Sequence, residues 1–154
     1  MTFIPIRPAT LDDIPLLVAL EQGAPTASHW SAAQYESRIL AGPRDVCFLV
    51  AESGVKIYGF LCARIVAGEW EIENVVVDRE RRRQGIADEL MRALIAQWND
   101  LGGTALLLEV RESNAPARAL YLKYGLREAG LRRSYYHDPV EGAVLYARQR
   151  PSQK

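Results

Sequence analysis

The chain has 154 residues, 49% of them apolar, and carries 19 Lys plus Arg against 19 Asp plus Glu, for a formal net charge of zero. That is enough for one well-buried core and too little for two, so a single domain over residues 1–150 with a flexible tail at 151–154 is expected. The balanced charge supplies no global field for nucleic acid or an anionic membrane, no run approaches the roughly eighteen apolar residues of a span, and Met1 to Ala9 lack a signal-peptide core; a cytoplasmic location follows by default.

Ile4-Pro5-Ile6-Arg7 reads as a short strand. Thr10 followed by Asp12 and Asp13 has the chemistry of a helix start, with the acidic pair where the helix dipole favours it, and the helix is predicted to run to about Gln22. Pro15 falls deep for a helix beginning there and would delete one backbone bond. Ser31-Ala32-Ala33-Gln34 is a capping-box pattern that starts a second helix toward Leu40, ended by Gly42-Pro43. Val46 to Glu52 and Val55 to Val66 are rich in β-formers, and Glu52-Ser53-Gly54 supplies the turn of an antiparallel hairpin. Gly68 opens a third strand, from about Glu69 to Asp78.

Ile86, Leu90, Leu94 and Trp98, with Ala87, Met91 and Ile95 beside them, recur at helical spacing and give one apolar face to a helix that stops at Gly102-Gly103. Thr104 to Val110 is a continuous apolar run, the mark of a strand covered on both faces. Ser113 or Asn114 caps the next helix, with Pro116 in its first turn and Gly125 at its end. Leu126 to Tyr136 and Ala143 to Ala147 form a closing strand pair. Two consecutive βα units imply parallel pairing in the middle of an α/β sheet of mixed direction.

The segment from Val75 to Ala87 carries the first chemical signal, because a β-branched run breaks into a basic turn containing Gly85 and then into a helix. Unpaired backbone N–H groups at the first turn of such a helix, together with its dipole, suit a phosphate or pyrophosphate. The loop has neither the spacing of the dinucleotide fingerprint nor the Gly-Lys-Ser/Thr ending of the Walker loop. On charge pattern alone, Arg79 to Arg83 would be a solvated run. Cys47 and Cys62 sit in apolar strand-like runs, and His29 and His137 lack matching partners, so buried thiols and no metal site are expected.

Arg82-Arg83-Gln84-Gly85-Ile86-Ala87 fits the R/Q-x-x-G-x-G/A loop with which the GNAT acyltransferase superfamily holds the pyrophosphate of acetyl-CoA. A sharper match is Leu108-Glu109-Val110-Arg111-Glu112-Ser113-Asn114 through Leu120-Tyr121, which closely resembles the LEVR-x-SN-x-x-A-x-x-LY block of the ribosomal-protein-alanine N-acetyltransferase (RimI) family. Trp30-Ser31, Asn74 and Arg132-Arg133-Ser134-Tyr135-Tyr136 match the same family in the same order. The resemblance spans nearly the whole chain. It implies a GNAT fold, a mixed α/β sheet flanked by helices and splayed between its two middle parallel strands.

The resemblance also implies roles. Transfer of acetyl from a thioester to an amine needs a base to free the amine lone pair and benefits from an acid for the departing thiolate; Glu109 and Tyr121 stand where the family has them. The amides of Val75, Val76 and Val77 would bond the pantetheine arm as a further strand does, and polarise the thioester carbonyl. Asn114 would add a contact to the arm beside its helix-cap role. Trp30, Glu71, Asn74, Arg133, Tyr135 and Tyr136 would border the acceptor. The implied acceptor is a protein N-terminal amine, the N-terminal alanine of a small-subunit ribosomal protein, with acetyl-CoA as donor and no metal.

Each assignment has a plain structural alternative. Glu109 could pair with Arg111 or Arg133, Tyr121 could be a core aromatic, and the three valines an ordinary core strand. Glu71 and Glu73, on one face of the third strand, are rival bases. Ala87 stands for the last loop glycine, Arg79 for a frequent proline, Leu126 for a frequent phenylalanine, and Ser28-His29 for a usual Phe-Pro beside the acceptor site. The competing functions are a GNAT enzyme for a lysine or small-molecule amine and, in another class, a catalytically silent acyl-CoA-binding module. The balanced charge and the lack of a binding motif give nucleic-acid binding through Arg79 to Arg83 little support.

Overall fold

The computed structural model describes residues 4–24 and 29–151. Ser28, half of the Ser28-His29 departure, lies outside the described residues, as do residues 152–154 of the expected tail. In chain order the elements are β1 (Ile6–Pro8), α1 (Ile14–Gln22), α2 (Ala32–Leu40), β2 (Val46–Ser53), β3 (Lys56–Val66), β4 (Glu69–Val77), α3 (Ile86–Asp100), β5 (Ala105–Arg111), α4 (Ala115–Lys123), β6 (Arg127–Tyr136) and β7 (Glu141–Gln149). Helix α1 begins later than expected: Leu11–Asp13 form a 3-10 turn, and α1 starts at Ile14 with Pro15 in its first turn, where the missing N–H costs nothing. Asp13 is fixed there by a bidentate Arg7 at 2.8 Å and by the Thr10 N–H at 2.7 Å.

The seven strands among the described residues join one sheet in the order β1-β2-β3-β4-β5-β7-β6. Neighbours run antiparallel except β4 and β5, which pair in parallel. That pairing covers only Glu69 to Glu71 against Ala105 to Leu107, so from Ile72 to Val77 the β4 edge facing β5 has no strand partner. The split starts at a bulge: Ala63 opposes Ile72 and Cys62 opposes Asn74, which leaves Glu73 as the extra residue. A bulge bends its strand and sharpens its twist, which here carries the end of β4 away from β5.

The sheet is sandwiched unevenly. On one face α3 supplies Ile86, Leu90, Met91, Leu94 and Trp98 to a core with Trp70, Ile72, Leu106, Leu108, Val110, Val144 and Tyr146, so this core runs under both halves of the sheet. On the other face α1 and α2 cover β2, β3 and β4 only, through Leu17, Tyr35, Phe48, Val50, Phe60, Cys62 and Val76. Strand β5 is therefore not covered on both faces as its apolar run implied. Leu106, Leu108 and Val110 are buried toward α3, while Leu107, Glu109 and Arg111 alternate onto a face over which the described residues place no helix.

Candidate active site

The loop after β4 is shaped by two left-handed residues, Arg83 (φ 66°) and Gly85 (φ 79°), and Gly85 stands immediately before α3. Asp78 caps the preceding 3-10 turn through the Glu80 N–H, and Arg81 leaves the loop to stack on Tyr58 at 4.5 Å. Arg82, Arg83 and Gln84 stay exposed around the first turn of α3, whose N–H groups have no helical partner. Ile86 is not a ligand-facing side chain: it is 1% exposed and packs so close to Gly59 that a Cβ there would lie 2.9 Å from its Cγ2. Ile86 thus anchors the loop to β3. Asp88, next along α3, would oppose an anion but is taken by Lys123 at 2.5 Å and the Tyr124 hydroxyl at 2.7 Å.

Val75 and Val77 pack toward α3 and Val76 toward α1 and α2, so their side chains are core and what they offer beyond it is backbone on the open β4 edge. At the matching end of β5, Asn114 rather than Ser113 caps α4, its Oδ1 accepting from the Ala117 N–H at 3.3 Å. The Ser113 N–H and hydroxyl donate to Glu141 on β7 at 3.0 and 2.9 Å, which ties the β5–α4 turn to the sheet. An open strand edge, a turn held by left-handed residues and a free helix N-terminus are in one continuous stretch, which fits an elongated ligand with amides at one end and a pyrophosphate at the other.

Glu109 lies on the helix-free face, with 27% of its side chain exposed, and pairs with Arg132 of β6 at 3.2 Å. Neither arginine expected from sequence is the partner: Arg111 turns to Glu141 (3.5 Å), the carbonyls of His137 and Pro139, and the Tyr136 ring (4.3 Å), while Arg133 is exposed and makes no ion pair among the described residues. Tyr121, on α4, is buried against Tyr146 with ring centroids 6.1 Å apart, and burial pushes its phenol pKa well above the ordinary value. Burial, then the charge of Glu109, also raises Tyr136, which packs edge-on to Tyr135 at 5.1 Å.

Of the remaining sequence candidates, Glu71 lies on the same face of the sheet, in register with Leu107, and the others fall beside it. Glu71 pairs with Arg64 at 2.9 Å, and Glu73 with Arg38 of α2 at 3.2 Å, so both rival carboxylates carry arginines. Arg38 also stacks 3.9 Å over Trp30, which is 9% exposed and edge-on to Tyr35. Asn74 is buried, because the bulge turns it toward α1, where its amide donates to Glu21 at 2.7 Å. Glu21, 2% exposed, gave no sign of itself in the sequence, since a carboxylate in the last turn of an amphipathic helix ordinarily faces water. No group of three or more His, Cys, Asp or Glu among the described residues is placed to hold a metal ion. Cys47 and Cys62 are buried free thiols, and burial raises the pKa of each.

Residues 15–126 match the Acetyltransferase (GNAT) family. The chain belongs to that family and is an acyltransferase by class. It is 36% identical over 137 residues to the [ribosomal protein bS18]-alanine N-acetyltransferase of Escherichia coli K12, covering 88% of this chain and 90% of that protein. It is 34% identical over 127 residues to the N-alpha-acetyltransferase RimI of Mycobacterium tuberculosis, covering 80% and 76%. The crystal structure of the ribosomal-protein-S18-alanine N-acetyltransferase from Escherichia coli superposes with a TM-score of 0.82 at 31% identity, over 94% of this chain and 92% of that one.

Proposed function

We propose that this chain transfers acetyl from acetyl-CoA to the N-terminal amine of a protein, the N-terminal alanine of a small-subunit ribosomal protein. The observation that carries the reading is the placement of Glu109 on the open face of β5, beside the split where β4 has no partner. The open β4 edge at Val75, Val76 and Val77 binds the amide-bearing arm of the donor, and the N–H groups from Gly85 to Ala87, with Arg82, Arg83 and Gln84, hold its pyrophosphate. Asn114 adds a side-chain amide near the arm. The acceptor approaches over the face bordered by Tyr135, Tyr136 and Arg133.

Glu109 takes a proton from the acceptor ammonium, directly or through one water; the freed nitrogen forms the new C–N bond as the C–S bond breaks, the sulfur takes a proton from Tyr121, and the second proton lost by the acylated nitrogen restores the Tyr121 phenol through water. Burial keeps the Tyr121 phenol protonated across the physiological range, the state a proton donor needs. A free α-amine, with a reference pKa near 8, asks less of its base than a lysine does. The names of the Escherichia coli and Mycobacterium tuberculosis relatives support the N-terminal acceptor.

The test is thiol release from acetyl-CoA with short peptides beginning Ala, Ser, Met or Gly, together with internal-lysine peptides and simple amines. Selective turnover of the Ala-initial ribosomal sequence is expected. Turnover only with lysine or small amines would replace the acceptor, and CoA binding without turnover on any acceptor would make the protein a silent acyl-CoA binder.

A further inference from the structure

The helix-free face carries two ion pairs side by side, and they are held very differently. Arg111 and Arg132 share that face because each aligns with Ala143 of β7, one from each side. Arg111 is 19% exposed and is fixed by Glu141, two carbonyls and an aromatic ring. Arg132 is 56% exposed on the edge strand, and among the described residues it is held by a single ion pair, the Glu109 contact at 3.2 Å. Its guanidinium also lies 5.5 Å from the Tyr135 ring, which offers it a second resting place.

The backbone explains the difference. Immediately after Arg132 the β6 register jumps, so that 133, 134 and 135 oppose Gly142 alone, with Ser134 left-handed at φ 52°. Arg132 therefore sits at the last regular rung before a bulge, on a strand with no neighbour beyond it, where a long side chain swings at little cost. The other charged groups around Glu109 are already committed: Arg111 to Glu141, Glu71 to Arg64, and Glu73 to Arg38. Tyr136 adds only a neutral phenol.

Resting on the reading of Glu109 as the base, we infer that Arg132 is a displaceable placeholder for the acceptor: its guanidinium occupies Glu109 in the free enzyme, and the ammonium of the incoming N-terminus takes its place while Arg132 moves to Tyr135. Capture of the acceptor is then an exchange of one cation for another, which leaves the carboxylate paired throughout. Arg132 is a positioning residue, and its effect falls on the acceptor KM rather than on the chemical step.

Steady-state kinetics of Arg132→Gln and Arg132→Lys with an Ala-initial peptide, at low and high ionic strength, test this. An exchange hardly changes charge separation, so the wild-type acceptor KM stays nearly flat with salt. In Arg132→Gln it is lower at low salt, by up to about fivefold, and rises as salt screens the new attraction. Arg132→Lys keeps the wild-type pattern, and kcat and the acetyl-CoA KM stay within about twofold in both variants. A higher acceptor KM in Arg132→Gln would mean that Arg132 grips the peptide, and an unchanged KM with unchanged salt response would reduce the contact to a surface ion pair; either overturns the inference. Glu109→Gln separates the levels: full turnover in that variant removes Glu109 as base and the placeholder with it, whereas lost turnover with an unresponsive Arg132→Gln overturns the placeholder alone.

Discussion

The two halves of the sheet bury their strands to different extents. From β2 to β4 both faces are covered, by α3 on one side and by α1 and α2 on the other, and the buried Asn74 amide is paired with Glu21. From β5 to β6 only the α3 face is covered, and the opposite face displays Glu109, Arg111, Glu141 and Arg132 as ion pairs. The seam between the halves is the short β4–β5 pairing and the bulge at Glu73. On the proposed reading the covered half supplies rigidity, the uncovered half leaves room for an acceptor, and the seam, where β4 and β5 separate after Glu71, leaves backbone groups for a donor.

The largest effect expected from breaking this contrast is at Glu109. Glu109→Gln lowers kcat by about a hundredfold to ten-thousandfold, the usual contribution of a general base, while stability changes by less than about 1 kcal/mol because the pair it breaks is partly exposed. A melting curve beside the kinetics checks both, and a collapse in stability would place Glu109 in the structural half of the comparison. Tyr121→Phe is expected to cost about a hundredfold in kcat. Since burial raises the Tyr121 pKa, the wild-type alkaline limb from this group lies above the ordinary tyrosine value of about 10. A limb below that value that vanishes in Tyr121→Phe would contradict the assignment.

Smaller effects probe the covered half. At Gly59 a methyl group would meet Ile86 and the Val76 carbonyl at 2.9 Å each, so Gly59→Ala should cost about 1–3 kcal/mol and shift the start of α3. Denaturant unfolding reads the first effect, and a raised acetyl-CoA KM with an unchanged acceptor KM reads the second. Asp13→Asn should cost about 1–3 kcal/mol at neutral pH by stripping Arg7 of a charged bidentate partner. The Arg7 hydrogen bonds hold the Asp13 pKa below the ordinary carboxylate value. Its contribution is therefore complete above that value and is lost as pH falls through the lowered one, and the stability gap between wild type and variant should close on the same descent.

Much of the chain was legible because its signals are local. Ser31 and Gln34 form the capping box their spacing announces, Gly85 stands before α3 with a positive φ, and the apolar period of Ile86 to Trp98 is the buried face of that helix. Thr10 does begin a helical turn, with its N–H donating to Asp13 as helix-start chemistry implies, but that turn is 3-10 and α1 proper begins only at Ile14. The coverage of β5 was misjudged because its apolar residues sit next to one another, and only the layer above decides which alternate residues are buried.

The sequence by itself determined the order of elements, the glycine turn before α3 and the residue types at Glu109, Asn114 and Tyr121, since capping, periodicity and turn chemistry act within a few residues. Tertiary structure alone decided who meets whom. The bulge at Glu73 inverts the alternation of β4 and sends Asn74 to Glu21, and β7 inserts between β5 and β6 and so brings Arg132, rather than Arg111 or Arg133, to Glu109. Strand register and layer coverage couple residues far apart in the chain, and a one-residue slip in either exchanges the partners on a face.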